Sequence, residues 1–212
     1  KDIAMKWQSK LAKKGWLVPS WPEEYGGTNW THTQKYIFSS ECAKAGAPNL
    51  IPMGLAMIGP LLLGKGTQEQ KDFYLPRLAS GEIIGSFALT EPEAGSDSAA
   101  VQTKAEPDGD DYLLTGTKRY ITNAPTAGLF TVFARTNPNE KGSRGVSAFL
   151  VDANTPGLSL GQPYKKMGQQ GAHICDVILD QCRISKDKII GGHEKLNRGF
   201  QTAMKTLDRG RL

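Results

Sequence analysis

The chain has 212 residues and a formal net charge of +5 at pH 7, and its 24 glycines and 12 prolines stay below the roughly 25–30% of residues at which composition argues for disorder. This length predicts a folded protein of one large or two small domains. The longest apolar stretch covers residues 53–64, well short of the roughly 20 residues that a bilayer-spanning helix needs, which excludes a membrane span.

The basic charge does not point to a nucleic-acid partner. Lysines cluster only at 10–14 and 165–166, and acidic residues are interleaved elsewhere, as on an ordinary solvated surface. The cysteines, Cys42, Cys175 and Cys182, are odd in number and far apart, and no signal-peptide pattern opens the chain. We therefore expect reduced thiols in a soluble protein of the cytosol or an organelle matrix.

Up to about Gly81 the apolar residues recur at helical spacing. Thr67 and Gln70 form a capping box, a pairing that opens helices. Pro76, inside the segment that follows, is expected to end or bend that helix. The predicted helices cover 1–14, 31–45, 53–63 and 67–80, and the third is expected to be buried because it is apolar on nearly every side.

Beyond Gly81 the pattern changes to that of strands. A turn of proline, aspartate and glycine at 107–110 predicts a hairpin. Short strands without helices between them favour an antiparallel barrel or sandwich over a Rossmann sheet, and helical spacing returns near the end. The predicted strands are 83–90, 101–106, 111–117, 119–122, 129–136, 145–153, 158–162 and 174–183.

The sequence argues against several common catalytic sites. The three histidines, His32, His173 and His193, have no partner at metal-ligand spacing, so no metal site is expected. No G-x-S-x-G elbow exists for a serine hydrolase. The segment 64–67 (GKGT) lacks the strand and spacing of a phosphate loop, and a turn between helices is the better interpretation.

Two segments are unusual. In 87–97 (FALTEPEAGSD), the loop after the strand can present backbone N–H groups and the Ser96 hydroxyl to an anion or a polar ligand edge. In 118–123 (KRYITN), Tyr120 and Thr122 lie on one face of a strand and could flank a flat heteroaromatic ligand. Taken alone, the first segment is better explained as an ordinary barrel corner, and the second as a cross-strand core pair.

In this order and separation, the two segments resemble the acyl-CoA dehydrogenase family of flavoproteins. Thr-Glu-Pro-x-x-Gly-Ser-Asp stands at Thr90–Asp97, and Lys-x-aromatic-Ile-Thr-Asn stands at Lys118–Asn123. The resemblance extends over essentially the whole chain, with further similarity at 21–27, 66–76, 155–157, 167–168 and 199–211. It implies an α+β fold: an N-terminal α-helical domain (1–84), an antiparallel β-barrel domain (85–193) and the start of a C-terminal helical bundle (194–212).

The resemblance also implies FAD as cofactor and an acyl-CoA as substrate. Family members usually have tryptophan where this chain has Tyr120, and often tyrosine where it has Phe87, and both departures keep an aromatic plane. The positions that match flavin contacts are Phe87, Leu89, Thr90, Ser96, Tyr120 and Thr122, and those that match substrate contacts are Ser96, Ser143, Asp208 and Arg211.

The implied reaction is α,β-dehydrogenation of an acyl-CoA thioester to a trans-2-enoyl-CoA, with a glutamate as base, as in fatty acid β-oxidation. Most members carry that glutamate far along the C-terminal bundle, and a minority carry it immediately before the arginine matching Arg211, where this chain has Gly210. No catalytic residue is therefore assigned, and the base is expected beyond Leu212. The chain is expected to be incomplete at both ends, and alone to bind FAD poorly and be inactive.

The implied partners are an electron-transferring flavoprotein and further copies of the subunit in a homodimer or homotetramer. The implied setting is the bacterial cytoplasm or the mitochondrial matrix. Two other functions stay open on the same framework: a non-catalytic scaffold subunit, and a flavin oxidase or monooxygenase.

Overall fold

The computed structural model describes residues 2–210, and its first part is helical. A π-helical turn at Met53–Ile58 continues directly into α3. The helices are α1 (Asp2–Lys13), α2 (His32–Lys44), α3 (Gly59–Lys65) and α4 (Gln68–Ser80), and α5 (Gly199–Gly210) follows the sheet. Within the described part, no helix has the length and apolar composition to cross a membrane.

Capping boxes set the starts of α2 and α4. The Thr67 hydroxyl accepts from the backbone N–H of Gln70 at 3.2 Å, and the Gln70 side chain accepts from the Thr67 N–H at 3.1 Å. Thr31 and Gln34 make the same exchange at α2. Each box satisfies two N–H groups that the first turn leaves unpaired, so the predicted start of α4 at Thr67 is confirmed.

Helix α4 runs through Pro76 to Ser80, so of the two expected effects of this proline, an end or a bend of the helix, the structure excludes the first. A proline in a helix interior costs about 3 kcal/mol because it removes a backbone hydrogen bond and crowds the preceding turn. Tyr74, Leu75 and Leu78 are buried on either side of it. Since burying each such side chain is worth about 1.5–3 kcal/mol, packing outweighs the local cost.

Seven strands form one curled sheet with the neighbour order β1-β4-β2-β3-β7-β6, and β5 pairs with β4. The predicted segments 111–117 and 119–122 merge into one strand, which two bulges interrupt. The strands are β1 (Gly85–Ala88), β2 (Lys104–Asp108), β3 (Asp111–Thr122), β4 (Leu129–Arg135), β5 (Val146–Asp152), β6 (Leu158–Leu160) and β7 (Ile174–Ser185).

The α+β fold class, with a helical part followed by a curled sheet, is confirmed, but the sheet is not purely antiparallel. Strand β1 pairs with β4 in parallel, from Gly85 beside Leu129 onward, and β2 meets β4 in parallel at Lys104 and Arg135. The other pairings are antiparallel. The reason is the β2–β3 hairpin, which returns the chain to the end of the sheet where β1 began before β4 starts.

The sheet is buried on both faces. One core joins the helices to the outer face of β4 and β5, through residues such as Leu62, Leu78 and Phe133. The second core fills the inside of the curled sheet, through residues such as Phe130 and Val177. Because successive β4 residues alternate between the two cores, β4 is buried along nearly its whole length. The sheet is therefore a packed scaffold whose strand ends and loops remain to carry a site.

Candidate functional site

The two unusual sequence segments run side by side in the structure. The Ser86 hydroxyl donates to the carbonyl of Thr122 at 2.6 Å, and the N–H of Arg119 donates to the carbonyl of Thr90 at 2.8 Å. Position 86 lies beside position 122, whereas position 90 of the same segment lies beside position 119. The two segments therefore run antiparallel. The fold thus brings the extension of β1 against the end of β3.

Tyr120 presents its ring to solvent from an unusual backbone position. Its φ is +57°, a left-handed value that bulky residues rarely adopt, and it falls in the bulge between Lys118 and Ile121. The side chain is 58% exposed, while Ile121 beside it is buried. Thr122, the next residue, is half-buried. Tyr120, with its aromatic ring, and Thr122, with its hydroxyl, are therefore the residues immediately before and after the buried Ile121 in the chain.

The β1 side of the site is less accessible. Phe87 and Thr90 are half-buried, and Leu89 is buried in the core that the helices share with the sheet. The Phe87 ring packs against Phe133 with centroids 5.0 Å apart and planes tilted by 55°. Of the three residues that the resemblance assigns here, Leu89 offers the least side-chain surface to a ligand.

Tyr164 belongs to this surface and was not found by sequence reasoning. Its ring lies 5.0 Å from the Tyr120 ring, and its hydroxyl donates to Asp176 at 3.0 Å. Asp176 also accepts from Arg119, the neighbour of Tyr120. The Tyr120 ring is therefore supported from one side by a second aromatic ring, whose own position is held by a carboxylate.

Lys118, two residues before Tyr120 in the chain, is fully buried. The Lys118 ammonium donates to Glu91 Oε1 at 2.7 Å, to the carbonyl of Leu89 at 3.3 Å, and to the carbonyl of Phe133. The sequence motif at 118–123 includes this lysine but gives no indication of its role. The alternation along β3, in which Tyr112 and Leu114 face the core, was the signal that could have found it.

Glu91 completes the buried cluster. Its carboxylate accepts from the N–H groups of Gln102 at 2.7 Å and Thr103 at 3.0 Å, and from the Thr103 hydroxyl. Burial acts to raise the pKa of Glu91, but the Lys118 charge and these hydrogen bonds outweigh it, so the pKa is lowered. Burial lowers the pKa of Lys118 to about 8, against the opposing effect of Glu91. The carboxylate is therefore ionised at neutral pH.

The loop between Glu91 and Thr103 carries Ser96, which is exposed. A tight turn opens the loop, because Glu91 and Ala94 exchange backbone hydrogen bonds at 3.1 and 3.3 Å. The Glu91 side chain reaches the far end of the same loop through residues 102 and 103. Ser96 thus sits in a loop that is closed at its base by one carboxylate.

Arg135 is a second organising residue that sequence reasoning missed. Its guanidinium ties the end of the Ser96 loop to the loop that carries Ser143, which is exposed. Two loops that the resemblance assigns to substrate binding therefore share one anchor. The carbonyl acceptors are those of Val101 (3.1 Å), Ala99 (3.2 Å), Glu140 (2.8 Å), Gly142 (3.0 Å) and Arg144 (2.9 Å).

The remaining predicted substrate residues stand apart from these loops. Asp208 is exposed on α5 and lines a cleft of about 400 Å³ between α5 and the helix α3, together with Lys65 and Lys205. Arg211 lies outside the described residues. Nothing in the described contacts joins Asp208 to the Ser96 loop, so its assignment rests on the resemblance.

Asn123, directly after Thr122, has an unsatisfied donor. The residue is buried at a φ of +66°, and its Nδ2 has no hydrogen-bond partner within the described part of the chain. Its backbone is satisfied, since its N–H donates to His173 and its carbonyl accepts from Thr126. A buried donor without a partner is uncommon in folded proteins and invites explanation by a ligand.

Comparison with known proteins covers most of the chain. The family description "Acyl-CoA dehydrogenase, N-terminal domain" matches residues 1–82, and "Acyl-CoA dehydrogenase, middle domain" matches residues 86–182. The first match ends where the helices end, and the second spans most of the sheet.

Individual relatives agree with these matches. The "Caffeyl-CoA reductase-Etf complex subunit CarC" of Acetobacterium woodii is 40% identical over 207 residues, covering 96% of this chain and 53% of the relative. The human "Short-chain specific acyl-CoA dehydrogenase, mitochondrial" is 39% identical over 206 residues, covering 96% of this chain and 49% of the relative. The chain spans about half the length of the curated relatives it matches.

The fold comparison points the same way. A crystal structure of an acyl-CoA dehydrogenase from Geobacillus kaustophilus has a TM-score of 0.85 and 30% identity to this chain, covering 98% of this chain and 54% of that one. The family matches, the relatives and the fold are in agreement, and the chain belongs to the acyl-CoA dehydrogenase family.

Proposed function

We propose that this chain supplies the flavin-facing half of an FAD-dependent oxidoreductase that acts on acyl-CoA thioesters. In this proposal, residues 1–84 form the helical domain, 85–193 the β-domain, and 194–212 the first helix of a further domain. The observation that carries it is the juxtaposition of Thr90 with the end of β3, where the exposed Tyr120 ring stands beside Thr122.

The residues present fit a flavin. A flat ring system needs an apolar or aromatic plane to pack on, and Tyr120, supported by Tyr164, offers one. The edge of a flavin carries several hydrogen-bond acceptors, and the buried Nδ2 of Asn123, next to Thr122, is a donor without a partner among residues 2–210 that the structure describes. The hydroxyls of Thr90 and Thr122 add two further donors on the same pair of segments.

Each of these residues has a role in the proposal. Tyr120 packs against the ring system, and Thr90 and Thr122 donate to its polar edge. Ser96 and Ser143 hold the pantetheine arm of the substrate, in loops that Arg135 keeps together. Bound FAD supplies the two-electron acceptor chemistry, which no amino-acid side chain can provide. The base that takes the proton from the α-carbon is not assigned to any residue of this chain.

We further propose the finer activity: α,β-dehydrogenation of an acyl-CoA to a trans-2-enoyl-CoA, with an electron-transferring flavoprotein as electron partner and a homodimer or homotetramer as the assembly. The relative named for a reductase-Etf complex supports that electron partner. The human relative named for short-chain acyl-CoA dehydrogenation supports the substrate class.

A second candidate is the reverse reaction, reduction of a 2-enoyl-CoA to the saturated thioester. The relative named as a caffeyl-CoA reductase favours it. The same flavin site serves both directions, because the direction depends on which partner supplies or removes electrons. The residues assigned above are therefore the same for both candidates.

The test uses the protein expressed from its complete coding sequence. For either candidate the purified protein should be yellow from bound flavin, and a colourless protein would contradict both and favour a scaffold. Anaerobic addition of butyryl-CoA should bleach the flavin if the enzyme is a dehydrogenase. If butyryl-CoA has no effect but crotonyl-CoA reoxidises the photoreduced flavin, the reductase is the correct direction. Hydrogen peroxide release during aerobic turnover would instead identify an oxidase.

A further inference from the structure

We propose that Glu91 and Lys118 are a positioning pair: their buried contacts hold the end of β1, the end of β3 and the Ser96 loop in the one arrangement that brings Tyr120, Thr122 and Ser96 to a common site. The inference rests on the proposed function, because it concerns the same flavin site. It adds two residues that touch neither flavin nor substrate in the proposal and act through their neighbours.

Lys118 connects three separate parts of the sheet. Its ammonium has three protons, and the structure gives it three acceptors: the carbonyl of Leu89 after β1, the carbonyl of Phe133 in β4, and Glu91. With the side chain 0% exposed, water does not compete for these bonds. The backbone directly before Thr90 is thereby tied to the backbone two residues before Tyr120.

Glu91 holds both ends of the Ser96 loop. The residue itself begins the loop, and its carboxylate binds the N–H groups of Gln102 and Thr103, where the loop ends. Gly116 of β3 lets Thr103 come close, since a Cβ at Gly116 would lie 2.6 Å from the Thr103 hydroxyl. The position of Ser96 relative to β3 is therefore set through this carboxylate.

The backbone of Tyr120 shows that the arrangement needs support. A tyrosine at a φ of +57° persists only where the surroundings over-determine it. Lys118 fixes the backbone on one side of the bulge and the buried Ile121 fixes it on the other. The Arg119 N–H, between them, is bonded to Thr90. Loss of the Lys118 contacts releases one of these three supports.

The chemistry of the pair is better explained by a role in positioning the backbone than by a role in stabilising the fold. A buried ion pair is often no more stabilising than apolar side chains of the same volume, because desolvating the charges is costly. Apolar side chains, however, make no directed bonds to backbone groups. Lys118 and Glu91 together hold four backbone groups by direct bonds: the carbonyls of Leu89 and Phe133 and the N–H groups of Gln102 and Thr103.

The experiment compares Glu91→Gln, Lys118→Met and the double variant with Tyr74→Phe, in the protein expressed from its complete coding sequence. Tyr74 is a matched control because it is buried and its hydroxyl bonds to Lys188 and Asp152, away from the site. Two quantities are measured well below the melting temperature: the FAD dissociation constant of the apoprotein, and amide hydrogen exchange of residues 92–101 without flavin.

We expect each single variant to weaken FAD binding by about tenfold or more and to speed exchange in the 92–101 loop, while Tyr74→Phe lowers the melting temperature and changes neither. The double variant, which leaves no lone buried charge, should regain stability but not flavin affinity. Regained affinity in the double variant, or single variants that behave like Tyr74→Phe, would overturn the proposal and leave the proposed function intact.

Thr103→Val provides a milder test if the charge variants do not fold. It keeps the branched shape but removes the hydroxyl that donates to Glu91, and it should speed loop exchange and weaken FAD binding by a smaller factor. An unchanged loop would overturn the proposal. If the unmodified protein binds no FAD, the proposed function fails, and loop exchange in the apoprotein still decides whether the pair positions the loop.

Discussion

The Ser86 hydroxyl donates to the carbonyl of Thr122 at 2.6 Å, which links a completely buried β1 side chain to the last residue of β3. Strands β1 and β3 are not hydrogen-bonded neighbours in the sheet order. This bond is therefore one of the few direct connections between the two segments that carry the candidate flavin site.

Replacing Ser86 by alanine leaves the Thr122 carbonyl without its donor, and we expect a loss of about 1–3 kcal/mol in the free energy of unfolding together with weaker FAD binding. Urea unfolding and flavin titration of the apoprotein measure the two effects. Ser147→Ala is the control, because Ser147 is equally buried and hydrogen-bonded but lies by Asn197. If both variants affect flavin binding equally, the bond from Ser86 has no special role in the site.

Arg135→Lys tests the anchor shared by the Ser96 and Ser143 loops. A lysine has three donors against the five of arginine, so at least two of the carbonyls lose their partner, at a cost of about 1–3 kcal/mol if they stay buried. We expect faster hydrogen exchange in residues 137–145 and a raised KM for the acyl-CoA. Arg144→Lys, on the same loop but exposed and paired with Glu140, should leave both quantities near their original values.

Glu91 predicts a definite pH dependence of stability. Its pKa in the folded protein is below the ordinary value of 4.5, so the unfolded chain binds the proton more readily. The stabilisation from the ionised carboxylate is therefore complete above about pH 4.5 and is lost as the pH falls through the lower, folded pKa. Urea unfolding measures the free energy of unfolding of the original protein and of Glu91→Gln. We expect the two values to differ by about 3–5 kcal/mol near neutral pH, and the difference to become smaller in acid. A difference that stays constant down to acid unfolding would contradict the assignment.

Tyr120→Asn separates backbone strain from ligand binding. Asparagine tolerates left-handed backbone conformations better than tyrosine. The free energy of unfolding of the variant should therefore rise by about 1 kcal/mol, while much of its flavin affinity is lost. Gln181→Asn is the control, because Gln181 also has a positive φ, +52°, but lies on β7. It should leave flavin binding unchanged, because its side chain bonds to Thr115 and not to the Tyr120 surface. Retained flavin affinity in Tyr120→Asn would show that the ring is not a binding plane.

Local signals in the sequence predicted much of the fold. The capping box of Thr67 and Gln70 spans one turn of chain, and it locates the start of α4 regardless of what surrounds the helix. The hairpin between β2 and β3 is equally local, because its turn residues determine the backbone conformation by themselves. The motifs at 90–97 and 118–123 also lie in neighbouring segments, as expected of a common site.

Only the tertiary structure determines which residues distant in the chain form hydrogen bonds, ion pairs and strand pairings with one another. Lys118 and Glu91 are 27 positions apart in the chain, and no local pattern states that the lysine is buried or which carboxylate it meets. The same holds for the five carbonyls around Arg135, and for the parallel pairing of β1 with β4. Helix α4 continues through Pro76 because buried neighbours outweigh the local cost. Interactions within one turn of chain can be read from the sequence, whereas long-range packing and hydrogen bonding depend on every element being in place, and these set the geometry of the candidate site.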